Sequence, residues 1–138
     1  MSKRLSEELE FLGALAPASV AASTATTTGY IDASETEEVC FLLSAASLTS
    51  GKTIKATLMG SNAAAGTGAK AVSEEISFKA SAAMTKVVIP ISYKVRGDGY
   101  RYLAVKFQHD GADAVVFGVD AIKRARYQPA DNAWKAEA

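Results

Sequence analysis

The feature that most constrains this chain is a succession of short runs, from residue 26 to 126, in which apolar and polar residues alternate. Alternation with period two suits a strand with one face on a core and one in water. Turn residues recur between the runs at roughly ten-residue spacing, the pattern of an all-β sandwich or jelly roll. The chain holds 138 residues, enough for one domain with one core. Much of its 49% apolar content is alanine, so the large apolar side chains must be concentrated in the strands.

Ile54, Ala56 and Leu58 alternate with Lys55 and Thr57, and Val87, Ile89, Ile91 and Tyr93 fall on one face. Ile76 and Phe78, then Leu103, Val105 and Phe107, then Val115, Phe117 and Val119 repeat the pattern. Val39, Cys40, Phe41, Leu42 and Leu43 form a continuous apolar run, which predicts a central strand covered on both faces. Pro90 has no N–H for a ladder, so its strand belongs at an edge or carries a bulge.

Ahead of these runs, Leu5, Leu9 and Leu12 share one helical face, and Gly13 and Pro17 would end the helix. A short helix is therefore expected over residues 2–15, followed by an Ala/Ser/Thr-rich extended segment at 18–28. The organisation read from sequence is an N-terminal helix and arm (1–25), a β-sandwich (26–127) and a polar tail (128–138) carrying Trp134.

Charge and chemistry narrow the function. Lys+Arg and Asp+Glu number 15 each, so there is no basic surplus to bind nucleic acid or an anionic membrane surface. No apolar run approaches the roughly 20 residues of a membrane helix. Glu7, Glu8 and Glu10 interrupt the place where a signal peptide would be apolar. With one Cys and one His, the chain cannot build a disulfide or a Cys/His zinc site.

Several motifs have ordinary structural explanations. Ala46-x4-Gly51-Lys52-Thr53 departs from a phosphate-binding loop at its first glycine and is followed by a strand pattern, so it reads as a hairpin turn. Arg96-Gly97-Asp98 spells a receptor-binding tripeptide, but Gly97-Asp98-Gly99 is also plain turn chemistry. His109, Asp110 and Asp113 could hold a hard cation, and they equally suit a polar turn. Cys40, inside the most apolar run, reads as inert core. Asp32, Glu35, Glu37 and Glu38 form an acidic run that suits an exposed loop better than paired-carboxylate chemistry. Tyr100 and Tyr102, at strand spacing, would share an outward face near Lys106 and are candidate contact residues. No catalytic, cofactor-binding or metal-binding residue is expected, and the chain reads as a binding or assembly module rather than an enzyme.

Taken together, the leucine-bearing N-terminus and Ala/Thr-rich arm, Thr28-Gly29-Tyr30-Ile31-Asp32-Ala33, the Val39–Leu43 strand, the run from Gly51 through Met59 into Gly60-Ser61-Asn62, and Tyr100-Arg101-Tyr102-Leu103-Ala104-Val105 resemble small structural proteins of tailed bacteriophages. The head-decoration (cement) proteins are the most similar of these. The resemblance implies a jelly-roll-like β-sandwich with a helix-bearing arm that self-associates and braces capsid subunits. Its partner would be the major capsid protein or another virion protein, and its place the capsid surface after synthesis in the bacterial host cytoplasm. On this expectation Leu5, Leu9 and Leu12 anchor the arm. A tail or head–tail connection protein and a carbohydrate-binding jelly-roll module are the alternatives.

Overall fold

The computed structural model describes residues 9–95 and 99–125. Leu5, the Arg96-Gly97-Asp98 turn and the tail with Trp134 lie outside the described residues. The strands are β1 (Glu10–Val20), β2 (Thr26–Thr27), β3 (Ile31–Asp32), β4 (Thr36–Leu48), β5 (Thr53–Ser61), β6 (Lys70–Ala71), β7 (Ile76–Lys79), β8 (Met84–Lys94), β9 (Tyr102–His109) and β10 (Val115–Ala125).

All pairings are antiparallel and form two sheets. Sheet one runs β1-β10-β4-β8; sheet two is centred on β9 and β5, with β2 and β3 on the free side of β9 and β6 and β7 on the free side of β5. If β2/β3 and β6/β7 are each taken as one broken strand, the pairing is nested. The first strand pairs with the last, the second with the second from last, and so inward to β5 with β6/β7. That is the path of a long hairpin rolled into two sheets, the jelly roll.

The alternation seen in the sequence places the core. Phe41, Leu43, Phe117 and Val119 from sheet one meet Ile54, Leu58, Leu103, Val105 and Phe107 from sheet two, all nearly inaccessible to solvent. The rings of Phe107 and Phe117 tilt together with centroids 5.0 Å apart, joining the sheets toward the end of the sandwich that holds His109, whose ring lies 5.3 Å from Phe117. Gly60 stands opposite buried Leu103, so its missing side chain is on the inner face. A Cβ there would lie 2.6 Å from Tyr100 Cδ2 and 2.8 Å from Val72 Cγ1.

Two expectations are corrected. Residues 10–15 are not helical: β1 pairs with β10 from Glu10–Lys123 to Val20–Val115. Three leucines at helical spacing are a weak local preference. A ladder that would otherwise leave one side of β10 unpaired outweighs it. The arm residues that follow are docked: Val20 is buried, Ser23 donates its N–H to His109 O at 2.7 Å, and the buried Thr28 hydroxyl accepts the Val105 N–H at 3.0 Å.

The turn at 49–52 is not a hairpin, because β4 and β5 belong to different sheets. Gly51, with φ of +80°, turns the chain from one layer to the other.

Pro90 does lie on an edge strand, since among the described residues β8 pairs with β4 alone. The other edge of sheet one, β1, carries Pro17 and two register shifts. In sheet two the edges are broken into pieces of two to four residues. Proline, bulges and short edge strands all discourage further strand addition.

Two substitutions test this packing by urea denaturation. Phe117→Ala is expected to cost about 3–5 kcal/mol, the range for truncating a buried aromatic. Gly60→Ala is expected to cost about 1–3 kcal/mol by overpacking, and much less in a Tyr100→Ala background.

Candidate interaction face

Each end of the sandwich is tied by a polar network. At one end, Asp32 of β3 receives Arg101 through Nη2–Oδ2 at 3.0 Å and Nε–Oδ1 at 3.3 Å, and its Oδ1 also accepts the Ser34 N–H at 2.9 Å. Lys123 of β10 donates to the backbone oxygen of Asp32 at 2.9 Å and lies 3.6 Å from Glu10 Oε2, linking the sheets. The Arg101 guanidinium holds the Asp32 carboxyl well below the usual carboxylate range, against the opposing effect of burial; Arg101 is raised in turn.

At the other end, buried His109 has Nε2 at 2.9 Å from Val20 O. Its Nδ1 accepts the Gly111 N–H at 3.2 Å, so Nε2 carries the hydrogen given to Val20. Asp110 Oδ1 accepts the Thr53 N–H at 2.6 Å, the main cause of its lowered pKa. The His109–Asp110 loop is thus engaged in closing β1, β5 and β9 together. No metal-binding cluster of His, Cys, Asp or Glu occurs among the described residues.

The tyrosines do not share a face. Tyr100 is half-buried over Gly60 beside Val72, on the core side. Tyr102 stands opposite Ser61 and Asp32, with the Arg101 guanidinium carbon 5.2 Å from its ring centroid. Leu9 is half-buried, and Leu12 is paired with Ala121 and packs on the core.

Sequence reasoning missed the outer face of sheet one. β4 is central, but among the described residues only its inner face is covered; Cys40 and Leu42 point outward and are partly accessible. Ile122 stands between Phe11 and Cys40, and Leu42 between Asp120 and Pro90. Ser44 stands between Gly118 and Val88. Phe11 is 36% exposed, Val116 45% and Val88 58%. Phe11, Gly13, Leu42, Asp120 and Ile122 line a shallow depression of about 380 Å³. One end of the face is bounded by Arg124, Glu38 and Lys94 across three strands. An apolar centre with a charged border is the anatomy of a protein contact surface. The signal for it was the unbroken run Val39–Leu43, since no third layer covers the sandwich among the described residues.

The outer face of sheet two is polar. A groove of about 370 Å³ crosses it, lined by Lys55, Thr57, Met59, Glu75, Lys106 and Gln108.

Fold and surface together define a small jelly-roll module with an apolar outer face on sheet one and a polar one on sheet two. No family model matches the chain, and no curated protein matches it in sequence. Among solved structures it is similar to the PBSX exported protein XepA, with a TM-score of 0.60 and 12% identity over all of this chain and 44% of that one. The likeness is one of fold, and the chain spans less than half the length of that protein.

The carboxylate shifts set an acid limit on stability. Asp32 and Asp110 have lowered pKa values in the folded chain and return to about 3.9 when unfolded. Their contribution is complete above the unfolded value and is lost as pH falls through the lowered folded values. Denaturation midpoints are therefore expected to be flat through mild acidity and to fall below about pH 4. Asp32→Asn should be less stable at neutral pH and show a shallower acid decline.

Proposed function

We propose that this chain is a non-enzymatic structural protein of a tailed-phage particle, and that its role there is capsid decoration. The observation that carries this reading is the apolar outer face of the β1-β10-β4-β8 sheet, which offers a partner Phe11, Leu42, Ile122, Val88 and Val116 around Asp120. The likeness in fold to XepA, an exported protein of phage PBSX, supports a phage origin. Jelly rolls also recur in viral capsid proteins.

A structural role agrees with the employment of the polar groups. Asp32 binds Arg101, Asp110 binds Thr53, and His109 bridges Val20 and Gly111. On this reading the partner is the major capsid protein, and docking across subunit seams gains from repetition over the particle. Membrane and nucleic acid are not partners in this scheme.

A carbohydrate-binding module is the second reading, favoured by the polar groove of Lys55, Thr57, Lys106 and Gln108. That groove offers hydrogen-bonding groups, while the ring of Phe107 in its wall is buried in the core.

Mass spectrometry of purified particles, with the chain counted against the major capsid protein, tests the proposal. Near-stoichiometric copies support decoration, a few copies move the chain to the tail or head–tail connection, and absence overturns the virion reading. Val88→Glu, at an exposed position opposite Ser44, is expected to leave the melting temperature nearly unchanged and to lower particle binding at least about tenfold, by burying a charge at the contact.

A further inference from the structure

We infer that the outer face of sheet one is a self-association surface, on which a second copy of this chain packs face to face in antiparallel orientation. The pair is a state of the free chain and gives way where the same face docks on a particle, so it is measured on the chain alone; three observations support it.

The first is that the edges are unsuited to pairing. Pro17 and register shifts interrupt β1, Pro90 and a left-handed Lys86 interrupt β8, and the edges of sheet two are broken. Association is thereby directed to a face.

The second is the charge pattern of β10, the strand that crosses the patch. Its outward residues near the C-terminal end are Asp120, Ile122 and Arg124, at two-residue steps. Asp120 is exposed between Gly13 and Leu42, in the apolar part of the face. A partner covering that part must supply a cation or leave a carboxylate unpaired. The chain itself supplies one. A two-fold axis across the strands through Ile122 sets each Asp120 opposite Arg124 of the second copy. It also sets Ile122 on Ile122 and Phe11 on Phe11.

The third is area. Four strands overlapping by about seven residues bury roughly 440 Å² per copy, or about 900 Å² in total. That is below the usual size of a permanent dimer, so the pair should be weak and concentration-dependent.

The arrangement puts Cys40, which stands beside Ile122 on β4, near the axis and opposite its own counterpart. Cys40 is the single cysteine in the chain, so a thiol cross-link reports on this face alone. Facing sheets lie about 10 Å apart, too far for a direct disulfide but within reach of a short bismaleimide.

The test is sedimentation of the full chain over a concentration series, with bismaleimide cross-linking. The expected result is a reversible monomer–dimer equilibrium and a dimer cross-linked through Cys40. Asp120→Arg alone and Arg124→Asp alone should each weaken dimerisation by roughly a hundredfold through like-charge contacts. The double substitution Asp120→Arg/Arg124→Asp should restore it. A chain that stays monomeric at every concentration overturns the inference. So does a dimer that fails to cross-link at Cys40, or one indifferent to the charge substitutions. Circular dichroism and melting of each variant separate loss of contact from loss of fold.

Discussion

The structure depends on the closure of one apolar layer between two sheets, bridged where Phe117 of β10 meets Phe107 of β9. Those strands are each internal to their sheet, and every other strand is positioned by pairing with them or with β4 and β5. The layer forms because alternating residues turn every second side chain inward, so backbone pairing and apolar burial favour the same register. A slip of one residue would expose the whole inner row of a strand. The nested pairing then decides which loops meet. β1 ends at His109, and β3 comes within reach of Arg101 and Lys123.

The polar groups are best understood as fastenings of that closed layer. Asp32 joins a segment of sheet two to Arg101 through its carboxylate and to Lys123 of sheet one through its backbone oxygen. His109 uses both ring nitrogens to hold the end of β1 and the turn after β9. The side chains that look most chemical in the sequence are thus occupied in closing the two ends. The side chains on the outer face of sheet one are chemically plain: Phe11, Leu42, Ile122 and Val88.

Much of the strand content was legible because period-two patterning is local. Ile54–Leu58, Val87–Tyr93 and Leu103–Phe107 face the core side as their alternation indicated. Pro90 marked an edge because a missing N–H is intolerable between two neighbours. The N-terminus was misread for a physical reason: Leu9 and Leu12 fit a helical stripe, and nothing local reveals that β10 needs a partner on its free side. Tyr100 and Tyr102 have strand spacing, yet Tyr100 lies before the start of β9 and turns over Gly60.

By itself, the sequence determined an all-β sandwich, the inner row of most strands and the absence of a basic surplus. These follow from residue type and spacing, which act over a few neighbours. Only the tertiary structure decided that residues 10–20 form an edge strand and that the Val39–Leu43 run has one bare face. It likewise decided that Asp120 and Arg124 frame an apolar surface. Burial of an outward side chain depends on whether another layer covers the sheet, and strand order depends on pairings far apart in the chain. Neither is encoded in the local period of the residues.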